Sequence, residues 1–208
     1  MPNTNLAEQA PSCVARLLRE ADVAIREHLE QQRGQSGGFV ASDFALVNAA
    51  IERIVKERLA RGPLFCEWGS GFGVVAMLAS MHDFDACGIE VQSELVLAAE
   101  ELADSLECDV RFAHGSFLTS SDEDLIESAE HSSWHTCDGN AYEDLDINPE
   151  EIDVFFAYPW PGEEGLFDAL FVRHASIGAL LLTYHDATGI LVQRKTRDSG
   201  PAAVIGWY

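Results

Sequence analysis

Short apolar runs alternate along this chain with longer amphipathic stretches, and the alternation predicts most of its elements. From residue 5 to 32, Val14, Leu17, Leu18, Ala21, Val23, Ile25 and Leu29 recur near helical spacing with charges between them, which predicts a helix with Pro11 near its start. Arg33 to Gly38 is rich in glycine and serine and breaks the pattern. Ser42 is the expected N-cap of a second helix over 43–61, ended by Arg61-Gly62-Pro63. Strands are expected at 64–67, 86–90, Val110–Ala113, Ile152–Ala157 and Ile177–Thr183. Helices are expected between them at 74–81, 93–106 and from about 164 to 175. Two last runs, Ile190–Gln193 and Ala203–Trp207, flank a turn at Asp198-Ser199-Gly200-Pro201 and read as a hairpin.

This order predicts an α/β fold: a Rossmann-like, mostly parallel sheet with helices on both faces, closed by a C-terminal antiparallel hairpin. Residues 1–38 form an N-terminal helical arm in this reading, and 39–208 the main domain. One stretch differs in kind. Residues 118–151 hold eleven acids and neither lysine nor arginine, which predicts an acidic, partly ordered insertion with one short helix at 122–130.

Composition narrows the classes of partner. The chain has 208 residues with 35 acids against 13 bases, a formal net charge of −22. Such a charge repels phosphate, so a broad nucleic-acid surface is disfavoured and a lysine- or arginine-rich protein segment is favoured. No run approaches the length of a membrane span, and Met1 to Gln9 lacks the basic and apolar regions of a signal peptide. Five scattered cysteines, with Cys66 and Cys87 inside expected strands, fit a reducing, cytoplasmic setting.

The candidate chemistry lies at the first two strand tips. Glu67 ends the first strand and Gly69, Gly71 and Gly73 follow at alternate positions, with Ser70 among them. Glu90 ends the second strand. A strand that turns sharply into a helix favours residues without a Cβ, and the free N–H groups of the helix start attract an anionic group. A carboxylate on the neighbouring tip can accept both hydroxyls of a ribose. The dinucleotide fingerprint would need glycine at 74, where this chain has Val74, so a nicotinamide oxidoreductase is disfavoured. Glu67 suits a ligand that carries an ammonium group rather than a pyrophosphate.

Glu67-Trp-Gly-Ser-Gly-Phe-Gly together with Gly88-Ile89-Glu90 resembles the class I, seven-strand S-adenosylmethionine-dependent methyltransferases over about residues 39–195. Gly88 to Val96 and Phe39 to Asp43 are similar to the protein-lysine methyltransferases of that fold. The resemblance implies S-adenosyl-L-methionine as cofactor, with Glu67 orienting the loop and the amino group, Gly69 and Gly71 packing on the methionine part, Ser70 and Gly73 completing the cofactor-binding loop, and Glu90 holding the ribose. It also implies an adenine contact at Ser116, where an aspartate is common. Planar-nitrogen methyltransferases carry an Asn/Asp-Pro-Pro-Tyr lip after strand four; this chain has Ala157-Tyr158-Pro159-Trp160-Pro161, which argues against adenine or glutamine as acceptor.

The acceptor expected from these residues is an amine, such as a lysine of a basic protein, held by cation–π contact with Tyr158 and Trp160. A small-molecule methyltransferase and a non-catalytic interaction protein are the competing readings. Tyr158, His185 and Asp186 are the candidate bases, and Tyr158 and His185 are carried forward as catalytic candidates. Trp160 and Phe155 are alternatively core, and Glu163 and Glu164 the start of a helix. His131, His135, Cys137 and Asp138 lie within one stretch but match no paired zinc motif, so no metal site is assigned.

Overall fold

A computed structural model describes residues 12–32, 39–128 and 141–208. The four candidate metal ligands between 131 and 138 fall outside them. No helix among the described residues is long and apolar enough to cross a membrane.

The chain opens with helix α1 (Cys13–Gln31), capped by the Ser12 hydroxyl, which accepts from the Ala15 N–H at 3.2 Å. Helix α2 (Phe44–Glu57) is capped by Asp43, one residue later than the serine expected from sequence. The Asp43 carboxylate accepts two N–H groups, from Ala45 and Leu46, and its charge also suits the positive end of the helix. Arg58 turns left-handed at φ 54° and stops α2 before the expected position 61.

The strands are β1 (Leu64–Trp68), β2 (Asp85–Glu90), β3 (Val110–His114), β4 (Val154–Ala157), β5 (Leu180–His185), β6 (Gly189–Arg194) and β7 (Ala203–Trp207). They form one seven-stranded sheet in the order β3-β2-β1-β4-β5-β6-β7. The first five run parallel; β6 and β7 are antiparallel, since only a short turn separates each from its predecessor. β5 begins three residues later than expected because Gly178, at φ 94°, turns the chain and leaves Ile177 exposed.

Helices α3 (Val74–Ser80) and α4 (Ser93–Leu106) lie with α2 on one face of the sheet. α1 buries Leu17 and Ala21 fully against α3 and α4. The other face is covered by α5 (Glu123–Ser128), α6 (Ala141–Asp144) and α7 (Glu164–His174). The described flanks of the acid-rich stretch therefore build a core: Leu118, Ala141, Tyr142, Leu145 and Ile152 are buried there. Even Asp122 is fully buried, where His174, Arg173 and Thr119 surround its carboxylate. The alternation of each strand sorts its residues between these two cores, with Phe65 and Glu67 toward α3, Cys66 and Trp68 toward α7.

The amino ends of the strands are tied together by one side chain. Arg61 pairs with Asp153 at 2.7 Å and donates to the carbonyls of Glu150, Ile152 and Ile177; Asp153 in turn accepts from the Leu64 N–H. That duty explains why Ile152 and Asp153 lead into β4 rather than belonging to it.

Candidate functional site

At the carboxyl ends of β1 and β2 the chain makes a turn that side chains would obstruct. Gly69, Gly71 and Gly73 all have positive φ, at 71°, 52° and 67°. A Cβ on Gly71 would lie 2.3 Å from the Phe39 ring, and one on Gly73 would lie 2.2 Å from Phe112. A Cβ on Gly69 would meet nothing within 4 Å, so the loop is packed from below and open above that residue. Gly88 of β2 is needed for the same reason: the Ser70 side chain rests on it, 2.7 Å from where its Cβ would be.

The two acids lie on the same face. Glu67 pairs in register with Gly88, so Glu90 falls one pleat further toward the carboxyl end on the α3 side. The Glu67 carboxylate accepts from the Ala76 N–H at 2.9 Å in the first turn of α3. Burial pushes its carboxyl well above the ordinary range; the Ala76 bond opposes that rise and the Glu90 charge adds to it. Glu90 is also buried, and it holds the loop: Oε2 accepts from Gly71 N–H and Oε1 from Gln92 N–H, both at 2.9 Å. Two N–H bonds leave lone pairs on each oxygen for further donors.

Ser70 Oγ is buried at 4% exposure and has no hydrogen-bond partner among the described residues. An orphaned buried hydroxyl is costly, by about 1–3 kcal/mol, and marks a place where a bound polar group would be satisfied. Ser116 stands just past β3, held near β2 by a bond from Gly115 N–H to the Glu90 carbonyl. Its hydroxyl accepts from Leu118 N–H at 3.0 Å, so it shapes the turn that it was expected to lend to adenine, while its own proton stays available.

A narrow cleft of about 30 Å³ runs between the loop and the segment before α2, lined by Phe39, Ser42, Glu67, Gly69, Ser70 and Tyr158 among others. Phe39 meets Phe72 edge-on with ring centres 5.0 Å apart, covering the loop at Gly71.

The two catalytic candidates are not brought together. Tyr158, just past β4, lies on the α3 side and faces the cleft. Its hydroxyl donates to Asp186 at 2.7 Å, and its ring meets Tyr184 edge-on at 4.8 Å. Burial, then the bond to Asp186, pushes the phenol up to about 12. It is therefore a phenol at neutral pH and not a base. His185 follows Tyr184 and so points to the opposite face, with its Nε2 2.9 Å from Thr183 Oγ1. Strand alternation puts it on the α7 side, away from Glu67 and Tyr158.

The lip resolves the alternatives read for it. Phe155 is core, but Trp160 is 56% exposed. Glu163 is buried with Oε2 accepting from Trp160 N–H, and Glu164 accepts from Gly162 N–H, so both acids shape the start of α7. Sequence reading missed Tyr142. From within the acid-rich stretch it accepts from Trp68 Nε1–H at 2.9 Å and donates to the Phe117 carbonyl, fixing the indole on the α7 face just before Gly69. Trp68 also stacks on Phe117.

No protein-family model matches the sequence, and no curated protein matches it. Solved structures do match the fold. An RNA methyltransferase from Salinibacter ruber, in complex with S-adenosyl-L-homocysteine, superposes with a TM-score of 0.50 at 14% identity, over 73% of this chain and 94% of that one. Methyltransferases from Thiobacillus denitrificans and Geobacter sulfurreducens, described as S-adenosylmethionine-dependent and also in complex with S-adenosyl-L-homocysteine, match with TM-scores of 0.44 at 19% and 18% identity. This chain covers 76% of its own length in each and 54% of theirs. The chain has the Rossmann-like fold of the methyltransferases, as the S. ruber superposition shows.

Proposed function

We propose that the protein is an S-adenosylmethionine-dependent methyltransferase whose acceptor is an amine, such as a lysine of a basic protein. The observation that carries the reading is the open glycine turn between two buried carboxylates on adjacent parallel strands, with a Ser70 hydroxyl inside it that has no partner among the described residues. These residues fit the cofactor. The space above Gly69 admits the methionine part, Glu67 suits its ammonium, and Glu90 keeps lone pairs for the ribose hydroxyls. Ser116 stands where the adenine would lie. The cofactor supplies a sulfonium methyl that needs no further activation. The protein's work is then to align the acceptor with it and exclude water. Tyr158 contributes to that alignment rather than to proton removal, since its phenol keeps its proton at neutral pH. His185 has no role in this reading because it lies on the other face.

Isothermal titration tests the reading. S-adenosylhomocysteine and S-adenosylmethionine should bind with micromolar affinity and NAD should not; heat with NAD alone would replace this reading by a nicotinamide enzyme. Tight adenosyl binding with no methyl transfer to any cell extract would favour a non-catalytic protein instead.

Glu67 gives a second expected result. An acid whose folded pKa is raised favours the folded state below its unfolded pKa, and that contribution is lost as pH rises through the folded value. A ligand ammonium beside it favours the ionised form, so binding in this window should release a fraction of a proton. Titrations in buffers of different ionisation enthalpy should give different heats for the wild type and equal heats for Glu67→Gln.

A further inference from the structure

We propose that Asp186 recognises the acceptor and selects for an alkylammonium group. This inference rests on the methyltransferase reading. Asp186 is exposed just beyond β5, on the side of the cleft where Tyr158 stands. The Tyr158 hydroxyl donates its proton to Asp186 Oδ1 at 2.7 Å. Among the described residues no lysine, arginine or histidine forms an ion pair with Asp186; Arg61, Arg173 and Lys195 are engaged with Asp153, with Asp122 and Asp124, and with two carbonyls.

The hydrogen-bond polarity of this mouth decides what it can hold. Because the phenol proton is given to Asp186, the mouth offers a carboxylate, a phenol oxygen and the half-buried ring of Tyr158, all of them electron-rich, with the buried Tyr184 ring packed edge-on behind. An ammonium brings three donors and a positive charge, and finds an acceptor for them. A phosphate or carboxylate is repelled by Asp186, with which no cationic side chain among the described residues is paired. An alcohol can donate once and gains no charge pairing. The net charge of −22 extends the preference beyond the mouth, drawing cations toward it.

The chemistry balances without a protein base. The bound ammonium loses one proton to solvent; the nitrogen lone pair then forms the N–C bond as the S–C bond breaks. The bonding pair stays on sulfur, which leaves as a neutral thioether, and the product nitrogen carries the positive charge. Asp186 pairs with the cation before and after transfer and forms no covalent bond.

The test titrates n-hexylammonium and n-hexanol into the protein saturated with S-adenosylhomocysteine, with binding read from NMR shifts of the tyrosine rings. Hexylammonium should bind saturably and hexanol about five- to tenfold more weakly; Asp186→Asn should weaken hexylammonium by about two- to fivefold and leave hexanol unchanged. Equal binding of the two compounds, no binding of hexylammonium, or an Asp186→Asn protein that holds it as tightly as wild type would each overturn the proposal. S-adenosylhomocysteine affinity, measured first and separately, should be the same in both proteins. Its absence in the wild type would sink the methyltransferase reading, an outcome distinct from failure of the ammonium contrast.

Discussion

Glu90→Ala should lower the affinity for S-adenosylhomocysteine by about 100-fold or more in isothermal titration, since hydrogen bonds to a charged group contribute roughly 1.5–3 kcal/mol each and the ribose would lose two. The loss has a second source. Glu90 is the acceptor for the Gly71 and Gln92 N–H groups, so its removal also frees the loop that must cradle the rest of the ligand. Glu90→Gln separates the two effects. The amide oxygen can still accept one of these N–H groups, so the loop should survive while the charge is lost, and affinity should fall by about tenfold. An unchanged affinity in Glu90→Ala would refute the ribose assignment.

Gly73→Ala should be the most destabilising single methyl added to the site. At φ 67° an L-residue costs about 1–2 kcal/mol. The new Cβ would also stand 2.2 Å from Phe112 Cζ and 3.1 Å from the Ala99 methyl, an overpacking that costs about 1–3 kcal/mol. Together these should lower the melting temperature by about 10 °C. Gly69→Ala is the informative contrast. Its φ of 71° carries the same backbone strain, but its Cβ meets nothing. It should melt only a few degrees below wild type and yet lose the adenosyl ligand, because the methyl projects into the space the ligand needs. Equal stability losses in the two variants, measured by calorimetry, would mean that Phe112 gives way and the loop is less constrained than its packing indicates.

The loop was legible in sequence because three glycines at alternate positions after an acid have few other uses. The strand periodicity was equally legible for β1, β2, β3 and the terminal hairpin. What escaped had physical reasons. Leu180, not Ile177, begins β5 because a single glycine turn can discard a hydrophobic residue to solvent, and apolar character alone does not show that. Ser42 and Asp43 are both good caps, and only backbone geometry chose the acid. His185 and Tyr184 were always on opposite faces, as their adjacency dictates. Which face Tyr158 shares depends on the register between β4 and β5, and that is a tertiary fact. Tyr142 was hidden by its neighbours: in a stretch so rich in acids, one aromatic buried under the indole of Trp68 leaves no periodic signal.

Arg61 gives the site an origin at the end of the sheet that carries no chemistry. It gathers the segments that lead into β1, β4 and β5. The loop and Tyr158 emerge five residues after Leu64 and Asp153, about 17 Å away along the strands, and Asp186 nine residues after Ile177. Parallel strands can slide past one another only if their starting points move, so this guanidinium acts as the common zero of a ruler whose far marks are the glycine loop, Tyr158 and Asp186. If the proposed function holds, a substitution there would be read as a misalignment between methyl donor and acceptor in a protein whose loop residues, Tyr158 and Asp186 are all intact.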